Sequence, residues 1–99
     1  MPGDSPSLNR KDLEDGVRRI IADVLFVPEA SIESDHSLFQ DLGAESIDVL
    51  DLVFRLEDVI GRRVTARDFD AWVRARFENV EHPRLTVAVV TDFAEEHAD

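Results

Sequence analysis

The sequence predicts an all-α fold: a small four-helix bundle with a long loop between helices 1 and 2 and an extended third helical segment. Three observations predict it. Apolar residues recur at helical spacing in four separate stretches. Polar caps and Pro or Gly breakers fall between those stretches. The one run that also reads as a strand, Val87 to Val90, has no partner strand, and a lone strand is not stable. Ninety-nine residues suit one domain and not two.

Residues 1–7 have the composition of a flexible, frayed start, and residues 8–97 form the single domain. Helix 1 is expected from about Asn9 to Phe26. Asn9 can cap it, Leu8 and Leu13 have hydrophobic-staple spacing, and Leu13, Val17, Ile20, Ile21 and Val24 share one face. Gly16 is a mild weakness inside it, and Pro28 closes the region. Glu29 to Glu45 is a long connection with Ile32, Leu38, Phe39 and Leu42 as apolar anchors. It is expected to be an ordered loop with a helical turn, and Gly43 offers a positive φ before helix 2.

Helix 2 is expected from Ser46 to about Gly61. Val49, Leu52, Val53, Leu56, Val59 and Ile60 form a broad stripe, which Ile47, Leu50 and Phe54 widen. Asp48, Asp51, Arg55 and Asp58 form a narrow polar strip. A helix with so little polar surface is expected to be packed against on several sides. Helix 3 is expected from about Ala66 to Glu78, opened by Thr65 and Asp68 in a capping box, with Phe69, Trp72, Val73, Phe77 and Val80 on one face. Thr86 caps a last helix carrying Val87, Val89, Val90, Phe93 and Ala94, and Glu95 to Asp99 read as a fraying tail.

The net charge of −11 argues against nucleic acid and against an anionic membrane surface, since both need a basic face. Basic protein surfaces are the natural complement. No apolar run approaches the ~20 residues that span a bilayer, and the N-terminus lacks a secretory pattern. A cytoplasmic monomer without membrane insertion is the expectation. With no cysteine, disulfides and thiolate metal sites are excluded. His36, His82 and His97 have no metal spacing and read as surface residues, so no metal is expected.

Ser46 stands at the start of the most apolar helix, with carboxylates on both sides. As a nucleophile it would need a base, for which His36, oriented by Asp35 or Asp41, is closest in sequence. There is no Gly-x-Ser-x-Gly elbow and no sheet to hold one, so a catalytic role is not expected. As a plain structural residue it would cap the helix. As an attachment point it would place a phosphodiester in the favourable field of a helix N-terminus.

The stretch Phe39-Gln-Asp-Leu-Gly-Ala-Glu-Ser-Ile-Asp48, continued by Val49-Leu-Asp-Leu-Val-Phe-Arg-Leu-Glu57, resembles the modification site and second helix of acyl carrier proteins. The likeness extends to the first amphipathic helix, the long loop and a closing helix near Thr86. It implies a bundle of acyl-carrier type with 4′-phosphopantetheine attached covalently to Ser46 and acyl groups held as thioesters. It implies as partners a phosphopantetheinyl transferase, acyl-chain synthases and acyltransferases with basic docking surfaces. The implied docking surface is Asp41, Glu45, Asp48, Asp51, Arg55 and Asp58. The implied acyl pocket is Leu50, Val53, Phe54, Leu56, Trp72 and Phe77. Glu45 stands where the family usually has aspartate and Ile47 where it usually has leucine. Arg55 interrupts a face that is more purely acidic in generic carriers. The segment from Val64 to Thr86 is longer than in typical members, and in this respect the chain resembles specialised carriers that serve the very-long acyl chain of lipid A. Two alternatives stay open: a free-standing carrier for amino acids or polyketide units, and an acidic helical interaction module without a prosthetic group.

Excess negative charge opposes the compact state. Added salt or magnesium should therefore raise the melting temperature; a melt insensitive to both would contradict this.

Overall fold

A computed structural model describes residues 9–98. The expected frayed start, the Leu8 half of the staple and Asp99 lie outside the described residues. Among those described, the elements are α1 (Arg10–Leu25), a 3-10 turn (Glu29–Ser31), α2 (Ser46–Ile60), α3 (Ala66–Arg76) and α4 (Val87–His97). This is the expected four-helix arrangement, with a long loop between α1 and α2. Val87 to Val90 are helical.

Each helix begins where its capping chemistry allows. The Asn9 side chain accepts from the Asp12 N–H at 2.9 Å and opens α1. Thr65 and Asp68 bond each other's backbone N–H at 3.0 Å, completing the box that opens α3. The Thr86 hydroxyl accepts from Val89 N–H at 3.2 Å and opens α4. Gly61, at φ 86°, ends α2 in the left-handed region. Two boundaries differ from expectation. Leu25 is the last residue of α1, and Phe26 caps it. Arg76 is the last residue of α3, so Val80 lies beyond the helix and is exposed rather than on its inner face.

α1 is packed against α2 and α4, while α2 also touches α3 and α4. α1 buries Leu13, Val17, Ile21 and Val24. α2 buries Leu52, Val53, Leu56 and Ile60. Gly16 has a packing reason: a Cβ there would meet Val59 Cγ2 at 3.1 Å, so its absence lets the two helices approach.

α2 is not covered all round, as its apolar surface had suggested. Ile47, Leu50 and Phe54 stand 67%, 54% and 70% exposed. Three helices with one inward face each cannot enclose a fourth on every side.

The long loop is stitched to the start of α4. Leu38 N–H donates to Leu85 O at 2.9 Å, Val87 N–H to His36 O at 3.0 Å and Ala88 N–H to Ser34 O at 2.9 Å. Ser37 and Thr86 form an isolated antiparallel bridge. Ile32 and Leu38 anchor the loop in the core, Leu42 is half-buried and Phe39 is exposed.

The far end of the molecule is organised by Phe93, which is fully buried. Phe69 and Trp72 meet its ring edge-on at 4.9 and 5.5 Å, and the His97 ring stacks on it at 4.1 Å. The expected fraying tail is therefore corrected. α4 runs to His97, whose Nδ1 lies 2.8 Å from Phe93 O, and Glu96 accepts from the Trp72 indole at 2.9 Å. His97 is half-buried rather than a free surface residue.

Because Phe93 joins α3 to α4, Phe93→Ala should cost about 3–5 kcal/mol, much of the ~5–15 kcal/mol typical of a domain. Urea unfolding by circular dichroism measures it; a loss near zero would contradict this packing.

Candidate functional site: the mouth of helix 2

The chain arrives at α2 through Gly43, whose φ of 74° is the left-handed conformation expected there. Ala44 is buried and its N–H donates to Leu38 O at 2.7 Å. Glu45 then takes the N-cap position, and its own N–H donates to the Asp48 carboxylate at 2.8 Å. The helix thus starts one residue after its cap, and Ser46 is the first helical residue. Ser46 is not the cap, as the purely structural reading had it.

This leaves the Ser46 side chain exposed, and among the described residues its hydroxyl makes no hydrogen bond. The neighbouring serines differ. Ser31 Oγ donates to Pro28 O at 2.7 Å. Ser34 Oγ donates to Glu14. Ser37 is fully buried and its hydroxyl donates to Gln40.

The six residues of the expected docking surface are not equivalent. Glu45, Asp51 and Asp58 are exposed and Asp48 is half-buried. Asp51 accepts from Arg55 Nε at 3.1 Å, so the single cation of the strip is paired within it. Asp41 is a structural member of the loop: its Oδ2 accepts from Ser37 N–H at 2.7 Å and from Arg84 at 2.7 Å. The Ser37 N–H, followed by the Arg84 and His36 charges, holds the Asp41 carboxyl below the usual carboxylate range. His36 is not placed as a base for Ser46: its Nδ1 accepts from Glu33 N–H at 3.1 Å.

Beside the mouth, α2, α3 and the loop residues Phe39 and Leu85 border a partly open, mostly apolar cavity of about 240 Å³, lined also by Val49, Leu50, Val53, Ala66, Phe69, Asp70 and Val73. A groove of about 490 Å³ continues past Val73, Phe77, Pro83 and Leu85. Of the six residues that the sequence suggested for an acyl pocket, Leu50 and Val53 line the cavity and Phe77 lines the groove. Phe54, though exposed, lines a separate cleft of about 400 Å³ with Leu50, Val53 and Val64, and Leu56 is buried in the central core. Trp72 points to the Phe93 cluster, beneath the Arg76 guanidinium at 5.2 Å. Sequence reasoning missed Phe39, Phe69, Val73 and Leu85 as lining residues. For Phe69 and Val73 the signal was present in the α3 stripe, because they sit one turn apart on it.

The family model of the phosphopantetheine attachment site matches residues 15–76, which include Ser31, Ser34, Ser37 and Ser46. The chain belongs to that family. A domain of this family is the site of covalent 4′-phosphopantetheine attachment on a serine, and this carrier accordingly takes that cofactor. The matched span runs from α1 through the loop and α2 into α3, so it covers the elements that build the mouth. The residues present fit a tethered phosphodiester. There is an exposed hydroxyl at the first helical position, where the partial positive charge of a helix N-terminus favours an anion. No helix among the described residues is long and apolar enough to cross a membrane, and they hold no cluster of His, Asp and Glu suited to a metal ion.

The Asp41 contacts carry a pH dependence. Its folded pKa is lowered, so its contribution to stability is present above the unfolded carboxylate pKa and lost as pH falls through the folded value. Asp41→Asn should therefore lower the melting temperature at neutral pH, with the gap to the native chain closing on acidification. A gap that is constant with pH would contradict it.

Proposed function

We propose that this carrier holds acyl groups on 4′-phosphopantetheine attached to Ser46 and delivers them to acyl-chain synthases and acyltransferases. The observation that carries the assignment is the state of the serine hydroxyls in the matched span. Three donate a hydrogen bond within the fold, whereas the exposed Ser46 hydroxyl at the head of α2 has no partner among the described residues. When bound, the prosthetic group supplies a terminal thiol on which acyl groups are carried as thioesters. The chain's own residues do the rest, and on this reading none of them is catalytic.

Glu45 and Asp48 hold the first turn of α2 in place, so that the tether leaves the protein from a fixed point. Asp51, Asp58 and Glu45 offer exposed carboxylates to cationic partner surfaces, and Arg55 limits that acidity at mid-helix. Such contacts are weakened by salt, which suits a protein that must leave each partner. The cavity between α2 and α3 opens beside Leu50, one turn from Ser46, and takes a hydrocarbon chain out of water. Of its lining residues only Asp70 is charged, and that carboxylate is paired with Arg74 at 2.8 Å. An amino acid or polyketide unit would find few polar partners there, which favours plain acyl cargo.

The cavity and the groove share Phe39, Val73 and Leu85. An acyl chain longer than the inner cavity therefore has a course along Phe39, Val73, Phe77, Pro83 and Leu85, with Gln40, Arg74 and Glu78 at its border. This supports long acyl groups, of the kind destined for lipid A, as the cargo.

Incubation with coenzyme A and a pantetheinyl transferase, followed by intact-mass measurement, tests the assignment. The native chain should gain one phosphopantetheine, and Ser46→Ala should gain none while keeping its helical content. An unmodified native chain would leave only an acidic helical interaction module.

A further inference from the structure

The most exposed large apolar residue described is Phe26, at 92% exposure. It also has the one positive φ among the described non-glycine residues, with φ 59° and ψ 45°. Its N–H donates to Ala22 O, ending α1 in a left-handed cap. That cap favours Gly or Asn, because a Cβ is crowded there. The position therefore holds a residue that is unfavourable for its backbone and unfavourable for its solvent exposure. Neither local stability nor solubility accounts for a phenylalanine at this site.

Its surroundings supply a reason. Phe26 lines a cleft of about 580 Å³ with Ile47, Leu50, Asp48, Asp51 and Arg55, closed on the α1 side by Asp23. Ile47 and Asp48 directly follow Ser46. The patch is thus an aromatic ring and two aliphatic side chains set among three carboxylates, with its one cation already paired to Asp51. A protein surface that grips Phe26 across this cleft lies against Ile47 and Asp48, the two residues that follow Ser46.

We propose that Phe26 is a docking anchor for the enzyme that modifies Ser46, seated in an apolar pocket of that enzyme with a cationic rim facing Asp23, Asp48 and Asp51. Charge complementarity favours a basic enzyme surface over a second copy, and the place of the cleft beside Ser46 points to the enzyme that acts on that residue. A second copy of a chain with net charge −11 would bring carboxylates against carboxylates. An exposed aromatic at the centre of a desolvated contact is the residue type that dominates binding energy. The inference rests on the assignment of Ser46.

Initial rates of pantetheine transfer at varied carrier concentration test it, with purified transferase, coenzyme A and intact-mass readout. Phe26→Asn suits the left-handed cap and should melt no lower than the native chain, yet should raise KM about tenfold with kcat little changed. Phe26→Leu keeps an apolar group and should retain most of the native KM even if it melts slightly lower. A stable Phe26→Asn with native KM overturns the proposal, as does a Phe26→Leu that loses as much as Phe26→Asn. Equal modification of native and variant chains leaves the Ser46 assignment intact while removing this one. No modification of the native chain removes both.

Discussion

Helix α1 lies close enough to α2 that a Cβ at Gly16 would crowd Val59, 3.1 Å from its Cγ2. Much else depends on that approach. It lets Leu13, Val17 and Ile21 meet the inner face of α2, where Leu52, Val53 and Leu56 are buried. It fixes the axis of α2 and hence the point in space where its first residue emerges. The loop completes the placement from the other side, with Leu38 and Ala44 buried and its backbone bonded to Leu85 and Val87. A hydroxyl on a loose loop would move with the loop. Here it sits at the first position of a helix held by two neighbours.

The same packing decides which surface remains. α2 is apolar on more sides than α1, α3 and α4 can cover. Its covered sides make the core, and its open side carries Ile47, Leu50 and Phe54 among carboxylates. Exposed apolar residues inside a charged border are the composition of a contact surface. Excess acidity costs some stability through self-repulsion and would attract basic surfaces to that side. The cavity under Leu50 lies between the open side and the core, so one residue borders solvent, cavity and helix mouth.

The helix ends were legible because their chemistry is local. Asn9, Thr65 with Asp68, Thr86 and Gly61 act within one turn of themselves. Ser46 was singled out through its flanking motif, although its place one step inside the cap was not legible. Glu45 is a poorer cap than serine by type and wins through the Asp48 contact. What could not be read depends on long-range packing. Periodicity marked Ile47, Leu50 and Phe54 as apolar but carries no information on which sides of a nearly all-apolar helix find partners. It put Trp72 with Phe69, and both rings meet Phe93, but it could not show that Glu96 of another helix accepts from the indole. Phe26 was hidden for a different reason. A left-handed cap is normally announced by glycine, and here the only hint was Pro28 two residues on.

On the proposed reading the tether hangs from Ser46, the serine of the matched span whose exposed hydroxyl has no hydrogen bond among the described residues. Fragmentation mass spectrometry of the protein isolated from its own cell tests this most directly, because it locates the phosphopantetheine on the chain. The account predicts the group on Ser46, with Ser31, Ser34 and Ser37 unmodified. Its presence on any of those three, or a population wholly without it, would contradict the account.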